Sequence, residues 1–317
     1  MVFINDVLLA RERIKRFINY TPCIRARSLE RLFNGAHIYL KLENLQITGS
    51  FKIRGATNKV LSLSEDQLER GIVAASSGNH AQAVAYASAL VNTKSVIVMP
   101  IDADKVKAKN TKDYGAEVIY CGYTGEERED RADELVTKHG YTFISSHADP
   151  YIIAGQGTVA LELMEQIPNL DVIITPCGAG GLISGTLVSV CEASEKIKVI
   201  AVEPKGVPRF TESLKQGQPI TVSMGQTLAD GLRVGKAEDL NYEIINKYNL
   251  EIVLQDDRFI IEMMKETLLS QKILIEPSSA IVLAAMMSGK IDTSQGKRIG
   301  VIISGGNIDL EFLKKVL

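Results

Sequence analysis

The sequence has few cysteines and few histidines, four of each among 317 residues. The cysteines are Cys23, Cys121, Cys177 and Cys191, and the histidines are His37, His80, His139 and His147. The cysteines are too dispersed for a zinc pair or a redox dithiol, and too few for a disulfide scaffold in a chain of this length. The histidines show no metal-ligand spacing. We therefore predict no metal site and interpret the cysteines as mostly buried, small apolar residues.

The sequence also lacks an excess of charge and a long apolar run. Its net charge of -2 gives no basic surface for nucleic acid. The most apolar stretch, residues 273–287, is interrupted by Glu276 and Pro277, so it is too short to span a membrane. Residues 1–17 carry several basic side chains and no continuous apolar core, unlike a secretory signal. We expect a soluble, cytoplasmic protein.

Short apolar runs alternate with helical patterns along the chain. The apolar runs include residues 71–75, 95–100, 117–120, 199–202 and 299–303. This alternation predicts an α/β fold with parallel strands. A chain of 317 residues indicates two domains and can bury a sizeable core.

Lys52 lies among apolar and small residues, in the string Ser50-Phe51-Lys52-Ile53-Arg54-Gly55-Ala56. Residues 48–50 could cap a helix that begins here. A lysine at a helix start, close to Arg54 and packed beside Phe51, should have its pKa lowered by positive charge, the helix dipole and desolvation. A neutral amine can form a Schiff base. Taken alone, the string is also typical of a solvated surface lysine, so its interpretation depends on two later segments.

A polar turn, Ser76-Ser77-Gly78-Asn79-His80, follows the apolar run at residues 71–75 and precedes a helical pattern over residues 81–90. Backbone N–H groups and hydroxyls at a helix N-terminus favour an anion such as a carboxylate. Ordinary helix capping is the alternative interpretation. Five polar or flexible residues in succession exceed what one cap requires, so the turn is also a candidate binding site.

A glycine-rich turn, Gly178-Ala179-Gly180-Gly181, follows the apolar run at residues 172–176 and precedes another helical pattern. Glycines allow close approach of the backbone, so consecutive N–H groups can surround a phosphate. The dinucleotide fingerprint fails, because Ile183 stands where its third glycine should be. The P-loop pattern fails as well, because no Gly-Lys-Ser/Thr follows. The turn therefore suits a small phosphorylated cofactor.

Together these segments resemble the fold-type II pyridoxal-phosphate enzymes, and within them the threonine/serine dehydratase and serine racemase family. The resemblance extends from Thr21-Pro22 to Ser304-Gly305-Gly306-Asn307. The matching strings also include Leu42-Glu43-Asn44-Leu45-Gln46, Ile153-Ala154-Gly155-Gln156-Gly157-Thr158, Ala229-Asp230-Gly231 and Glu276-Pro277-Ser278. So many matches in family order are more specific than any single motif.

The resemblance implies a two-domain α/β fold like that of tryptophan synthase β, with open, twisted, mainly parallel sheets and helices on both faces. It places a large cofactor-binding domain at residues 1–48 and 148–317, and a smaller, mobile domain at residues 49–147. It also implies a homodimer or homotetramer.

The resemblance further implies pyridoxal phosphate as the cofactor and assigns the site residues. Lys52 would carry the cofactor covalently, Asn79 would hydrogen-bond the 3′ oxygen of the cofactor, and Ser304 would face the ring nitrogen. The other cofactor-binding residues would be Phe51, Gly178, Ala179, Gly180, Gly181 and Leu182. The substrate would contact Ser76, Ser77, Gly78, Asn79, His80, Gly231 and Glu276. No contact is carried over from the segment around His147, which is about two residues shorter than is usual in the family.

The implied reaction is the dehydration of a hydroxy amino acid, with Lys52 removing the Cα proton. L-Threonine would give 2-oxobutyrate and ammonia, and L-serine would give pyruvate and ammonia. A 3-hydroxyaspartate dehydratase and an inactive pyridoxal-phosphate-binding sensor are alternatives. The presence of Lys52, Asn79 and Ser304 argues against the sensor.

Serine racemase is the nearest rival. Racemisation needs a second acid on the opposite face of the substrate, and Ser77 occupies that position in the family pattern. The Tyr120-Cys121 pair also resembles racemases. In contrast, the divalent-metal site of racemases is incomplete, because Glu203 is present but Arg209 stands where a second carboxylate is expected. A cation there should repel a metal ion, so the sequence favours dehydration.

Overall fold

A computed structural model describes residues 1–76, 78–103, 105–193 and 196–316. Within this part of the chain, the strands are β1 (Cys23–Arg25), β2 (His37–Leu42), β3 (Ile72–Ala75), β4 (Ser95–Met99), β5 (Glu117–Tyr120), β6 (Thr142–Phe143), β7 (Val172–Pro176), β8 (Lys198–Pro204), β9 (Glu251–Gln255) and β10 (Arg298–Ile303). The helices are α1 (Ile4–Ile14), α2 (Arg27–Glu30), α3 (Lys52–Val60), α4 (Glu65–Arg70), α5 (Asn79–Leu90), α6 (Lys105–Asp113), α7 (Gly125–His139), α8 (Pro150–Gln166), α9 (Gly181–Ala193), α10 (Arg209–Gln216), α11 (Asp239–Lys247), α12 (Ile260–Glu266), α13 (Pro277–Met287) and α14 (Leu310–Val316). Short 3₁₀ helices span Glu43–Leu45 and Asp230–Leu232, and a π-helical segment spans Thr267–Gln271.

The described strands form two sheets. The larger has the order β1-β2-β10-β7-β8-β9, in which β1 is antiparallel to β2 and all other neighbours are parallel. The smaller has the order β5-β4-β3-β6 and is entirely parallel. The apolar runs of the sequence coincide with β3, β4, β5, β8 and β10. The predicted α/β fold with mainly parallel sheets is therefore confirmed.

Helices cover both faces of the larger sheet. On β10, Ile299 and Val301 pack in a core with residues of α13, whereas Ile302 faces the opposite core, formed largely by α8 and α9. Adjacent β7 shows the same alternation, with Ile174 in the first core and Ile173 in the second. This double burial explains why these parallel strands are continuous apolar runs in the sequence.

The segments singled out in the sequence follow the carboxyl ends of three parallel strands. Residues 76–78 connect β3 to α5, residues 177–180 connect β7 to α9, and residues 304–307 follow β10. The start of α3 lies against the last of these, because Ser50 pairs with Gly305 in an antiparallel bridge. In parallel α/β folds, ligands bind at this end of the sheet.

The smaller sheet and helices α3 to α7 fall between residues 49 and 147, the segment predicted to form the smaller domain. The movement of this segment as a unit stays a prediction. In the described part of the chain, no helix combines the length and the apolar character needed to cross a membrane.

The prediction of mostly buried cysteines was wrong in detail. Only Cys177 among the four is buried, whereas Cys23, Cys121 and Cys191 are partly exposed. Their positions explain this difference. Cys23 lies on an edge strand, Cys121 follows the edge strand β5, and Cys191 is in the last turn of α9.

Candidate active site

Lys52 is the first residue of α3, and its amine points toward the segment that precedes α8. The Lys52 Nζ donates a hydrogen bond to the backbone oxygen of Ser146 at 2.7 Å and lies 5.4 Å from the centre of the Phe51 ring. Desolvation lowers the pKa of Lys52 to about 8, against the opposing effect of the Glu276 charge. A lysine with this pKa supplies a substantial neutral fraction near neutral pH, as a nucleophile or base requires.

The physical cause of this pKa differs in part from the sequence expectation. Burial lowers the pKa of Lys52 as expected, but the charge of Arg54 makes no contribution. Nor do residues 48–50 cap the helix, because Phe51 holds the cap position and no side-chain cap forms. Instead, the Phe51 N–H donates to the backbone oxygen of Ser304 at 3.0 Å, so backbone pairing with the end of β10 sets the start of α3.

Arg54 turns away from Lys52 into a buried group of charges. Its guanidinium donates to Glu43 at 2.7 and 2.9 Å and to Glu162 at 2.6 and 2.8 Å. Lys41 also donates to Glu162, at 2.6 Å. All four side chains are almost inaccessible to solvent. These contacts join α3 to α8 and to the 3₁₀ helix that follows β2, and Lys41 of β2 joins the group through Glu162. They therefore fix the first turn of α3 and hence the backbone of Lys52.

Asn79, the first residue of α5, contacts two of the segments identified in the sequence. Its Nδ2 lies 3.0 and 3.2 Å from the two carboxylate oxygens of Glu276, and its Oδ1 accepts from Asn307 Nδ2 at 2.8 Å. Burial, followed by the charge of Asp230, raises the pKa of Glu276 to about 7. The structure thus brings together two predicted site residues that are 197 positions apart in the chain.

The polar turn before α5 retains free backbone donors. In the described residues, the N–H groups of Asn79, His80 and Ala81 have no hydrogen-bond acceptor. Ser76 Oγ accepts a long contact from the Gly78 N–H at 3.4 Å. Ser77 lies outside the residues that the structure describes. The free N–H groups suit an anion at a helix start, in keeping with the predicted carboxylate site.

The His80 ring is directed into the protein. Its Nε2 lies 3.1 Å from the Ile144 backbone oxygen, and desolvation, with the nearby charge of Lys52, lowers its pKa to about 3. The ring is therefore neutral, and it donates to that carbonyl. Any role of His80 in binding an anion then falls to its backbone N–H.

The glycine-rich turn between β7 and α9 is a second set of free donors. Within the described chain, no acceptor lies in reach of the backbone N–H groups of residues 178–183. Gly180 has a φ of +98°, and a Cβ there would lie 2.8 Å from the Phe210 ring. A Cβ on Gly178 would lie 3.2 Å from the Gly231 backbone oxygen. The conformation of Gly180 thus requires glycine, Gly178 is closely packed, and the free donors fit a phosphate.

Gly231 and Ser304 both lie next to α13. The Gly231 N–H donates to Ser278 Oγ at 2.9 Å, while Ser304 Oγ lies 3.0 Å from Ser279 Oγ. Ser304 is 3% exposed, and the carbonyl of this same residue accepts from Phe51 next to Lys52. Ser304, whose hydroxyl is predicted to face a ring nitrogen, therefore lies close in the fold to Lys52.

Two contributions to this site have no local signal in the sequence. The Ser146 backbone oxygen accepts from Lys52, although no contact was carried over to this shorter segment. Next to it, the Cα of His147 would lie 3.1 Å from a Cβ on Gly181, so the segment packs on the glycine-rich turn. Asn241 Nδ2 donates to His147 O at 3.3 Å and to Ser184 Oγ at 3.2 Å. The chain therefore retains a contact from this segment despite its reduced length.

At the position where the family resemblance predicts the racemase metal site, the structure has an ion pair. Arg209 Nη2 lies 3.6 Å from Glu203 Oε1, and both side chains are buried. The Glu203 carboxylate also accepts from the N–H groups of Phe210 and Thr211 and from the Thr211 hydroxyl. Among the described residues, no group of three or more His, Cys, Asp or Glu side chains could hold a metal ion.

The buried amine of Lys52, the glycine-rich turn and the polar turn lie at the carboxyl ends of the parallel strands. A buried lysine amine of lowered pKa and free N–H groups at helix starts are features expected of an enzyme that uses a small phosphorylated aldehyde. A family model described as "Pyridoxal-phosphate dependent enzyme" matches residues 14–305. The chain belongs to this family, and its cofactor is pyridoxal phosphate.

The chain is similar to individual relatives over its whole length. It is 39% identical over 317 residues to the L-threonine ammonia-lyase of Thermotoga maritima, covering 100% of this chain and 78% of the relative. It is 42% identical over 319 residues to the serine racemase of Dictyostelium discoideum, covering 100% and 98%. The structure of maize serine racemase superposes with a TM-score of 0.94 at 36% identity, covering 99% of this chain and 96% of that one.

Proposed function

We propose that the chain dehydrates L-threonine to 2-oxobutyrate and ammonia, and L-serine to pyruvate and ammonia. The observation that carries the proposal is the buried Lys52 amine, with a pKa of about 8, near two sets of free N–H groups. One set is the glycine-rich turn before α9, which we call the phosphate cradle, and the other is the polar turn before α5, which would bind a carboxylate. The similarity of the chain, over its full length, to an L-threonine ammonia-lyase supports this reaction.

The residues present fit the cofactor. Lys52 would hold it covalently, the N–H groups of Gly178 to Leu182 would bind its phosphate, and Phe51 would pack beside it. Asn79 would hydrogen-bond its 3′ oxygen, and Ser304 would face its ring nitrogen. When bound, pyridoxal phosphate withdraws electrons from the Cα of an amino acid and so acidifies its Cα–H bond.

The residues of the chain then bind the substrate and move protons. The free N–H groups at the start of α5 orient the substrate carboxylate, with Ser76 and Gly78 beside them. Gly231 and Glu276 border the side where the substrate amine is expected. The Lys52 amine, once the substrate amine had replaced it on the cofactor, would be neutral and would accept the Cα proton at Nζ, so that the C–H bond breaks and an N–H bond forms. The Ser146 carbonyl, 2.7 Å from Nζ, orients the resulting ammonium group.

Serine racemisation is the second candidate, because the relatives include serine racemases at 42% and 36% identity. It would use Ser77 as the second acid on the opposite face of the substrate. The ion pair between Glu203 and Arg209 argues for dehydration, since it fills the position of the racemase metal site with a protein cation. If the substrate were 3-hydroxyaspartate, only the identity of the amino acid would differ, and the proton transfer at Lys52 would be the same.

The product partition from L-serine tests the proposal. Pyruvate and D-serine are measured together from the protein loaded with pyridoxal phosphate, beside the same measurement for Ser77→Ala. Mostly pyruvate, retained in Ser77→Ala, supports the dehydratase. Predominant D-serine that is lost in Ser77→Ala identifies a racemase, and the absence of both products from every hydroxy amino acid tested would indicate a sensor.

We also propose that the protein is cytoplasmic, acts in amino-acid catabolism and assembles as a homodimer or homotetramer. These proposals rest on the family resemblance and on the lack of a membrane-spanning helix in the described chain. Light scattering coupled to size-exclusion chromatography tests the assembly, with a single monomer peak as the contrary result.

A further inference from the structure

A buried arginine contacts the residue that begins the glycine-rich turn. Arg209, the first residue of α10, is fully buried, and its Nη2 donates to the Cys177 backbone oxygen at 3.3 Å. Cys177 directly precedes Gly178, the first glycine of the turn. The ion pair with Glu203 offsets the charge of Arg209 but does not explain this contact with the turn.

The sequence of β8 leaves the Cys177 oxygen without its usual strand partner. The Cys177 N–H donates to the Val202 backbone oxygen at 2.8 Å, which continues the parallel pairing of β7 with β8. In a parallel ladder, the return bond to the Cys177 oxygen would come from the N–H of residue 204. That residue is Pro204, which has no N–H. Arg209 therefore supplies the donor that the strand cannot.

A fixed Cys177 oxygen also determines the direction of the first free donor of the turn. The C=O of Cys177 and the N–H of Gly178 belong to one planar trans peptide, so they point in opposite directions. With the oxygen turned toward Arg209, the Gly178 N–H points away from Arg209, and it has no acceptor among the described residues. Glycine restricts the rotation of this peptide less than any other residue would, so the hydrogen bond from Arg209 limits it.

The same guanidinium holds the segment that packs on Gly178. Its Nη1 donates to the backbone oxygens of Leu232, at 3.4 Å, and of Val234. A Cβ on Gly178 would lie 3.2 Å from both the Gly231 oxygen and the Leu232 side chain. An arginine is always protonated and presents its donors in a planar fork, so one side chain can hold both segments.

We propose that Arg209 is a positioning residue for the phosphate cradle, which holds the peptide between Cys177 and Gly178 so that the Gly178 N–H faces the cofactor phosphate. This role rests on the proposed placement of the phosphate on this turn, and is independent of which amino acid is the substrate. Loss of a hydrogen bond from a charged donor changes an equilibrium about tenfold. Arg209→Met, which keeps an apolar stem without donors, should therefore lower the preference for pyridoxal phosphate over pyridoxal about tenfold.

Equilibrium titration of the full chain, freed of cofactor, measures the dissociation constants of both ligands. Their ratio isolates the phosphate, because a general loss of stability weakens the binding of both. Ser213→Ala is the matched control on α10, since it removes a buried acceptor of the Ile220 N–H at 3.1 Å and should leave the ratio unchanged. A wild-type ratio in Arg209→Met overturns the role of Arg209.

Two further comparisons cover a folding failure and the placement of the phosphate. If Arg209→Met does not fold because Glu203 is left buried and unpaired, Arg209→Met with Glu203→Gln removes both charges. Its ratio should still be about tenfold below that of Glu203→Gln alone, and equal ratios overturn the role of Arg209. Gly180→Ala, strained at a φ of +98°, should also lower the ratio. An unchanged ratio in Gly180→Ala refutes the placement of the phosphate on the turn.

An NMR measurement follows the peptide itself and requires no turnover, so a protein without dehydratase activity leaves it intact. The sequence has two Cys-Gly peptides, Cys121-Gly122 and Cys177-Gly178, so a ¹³C label on the cysteine carbonyl and a ¹⁵N label on glycine select these two. Pyridoxal phosphate should move the second signal in wild type and move it less in Arg209→Met, with the first signal as the internal reference. Equal movement in both proteins overturns the role of Arg209, and no movement in wild type refutes the placement of the phosphate.

Discussion

The side-chain amide of Asn79 donates to both carboxylate oxygens of Glu276, at 3.0 and 3.2 Å. This contact joins the first residue of α5 to the residue that precedes α13, and Asn307 adds the segment after β10 through its bond to Asn79. The amide cannot be reversed without placing its oxygen against the carboxylate. Glu276 therefore fixes the orientation of the Asn79 side chain in the candidate active site.

The ionisation of Glu276 should make the stability of the cofactor-free protein depend on pH. Burial raises its pKa from an ordinary value of 4.5 to about 7, so the folded state binds this proton more tightly than the unfolded state. The resulting stabilisation is fully present below about pH 4.5 and is lost as the pH rises through about 7. In Glu276→Gln, the neutral side chain still accepts from Asn79 but has no proton to lose.

The free energy of unfolding of wild type and Glu276→Gln, measured by urea denaturation on both sides of this pH window, tests the effect. The variant should gain stability relative to wild type as the pH rises. The exposed Glu69→Gln, also a neutral replacement of a glutamate, should follow the wild-type curve. A constant difference between Glu276→Gln and wild type would contradict the burial of this carboxyl group.

Lys52 should capture pyridoxal phosphate with an unusual pH dependence. Because desolvation lowers the pKa of Lys52 to about 8, the rate of cofactor attachment should reach half its maximum near that pH. Glu276→Gln should move this midpoint lower, since the Glu276 charge raises the pKa of Lys52. The growth of visible absorbance after mixing measures the rate, and Lys52→Ala should show no growth. A midpoint near 10.5, the ordinary value, would show that the amine is solvated.

Asn241 should support cofactor binding without touching Lys52. Its amide ties His147, next to the carbonyl that accepts from Lys52, to Ser184 near the start of α9. Asn241→Ala leaves the His147 carbonyl without this donor. Leaving a buried acceptor without its hydrogen bond costs about 1 to 3 kcal/mol of free energy. We expect about tenfold weaker binding of pyridoxal phosphate, measured by equilibrium titration, and a smaller loss for pyridoxal, which lacks the phosphate.

Ser189→Ala is the matched control for Asn241→Ala. It also removes buried hydrogen bonds to backbone oxygens, those of Gly157 and Gly185, but it lies further along α9 from the phosphate cradle. This control should lower stability and keep the preference for pyridoxal phosphate over pyridoxal. An equal loss of affinity for both ligands in Asn241→Ala would show that Asn241 does not support the phosphate cradle.

The sequence predicts features whose causes are local and misses those whose causes are distant. The glycine-rich turn is visible because Gly180 requires a positive φ and free N–H groups, properties of one short segment. The alternating apolar runs likewise predict the parallel strands. In contrast, Asn241 acts on a residue 94 positions away, and Arg54 binds Glu162 at a separation of 108. No pattern in the neighbourhood of either residue specifies its partner.

The buried charges around Arg54 did have one signal, because Lys41 lies between Leu40 and Leu42 and Glu162 lies between Leu161 and Leu163. Glu162 contacts both Arg54 and Lys41, so its replacement should lower the stability of this group most. Glu162→Gln would leave Arg54 with Glu43 as its single carboxylate partner and would leave Lys41 without a carboxylate partner. Breaking a buried ion pair from one side costs about 3 to 5 kcal/mol. We therefore expect a loss of this size in the free energy of unfolding.

Glu165→Gln provides a control on the same helix, one turn from Glu162. Glu165 pairs with Arg11 at 2.5 Å, but the two side chains are 50% and 33% exposed. An exposed ion pair contributes about 0 to 1 kcal/mol, because water and salt screen it. Urea denaturation of both variants at low and high salt compares them directly. If Glu162→Gln lost no more stability than Glu165→Gln, the buried charges would not be what holds α3, and with it the backbone of Lys52, against β2 and α8.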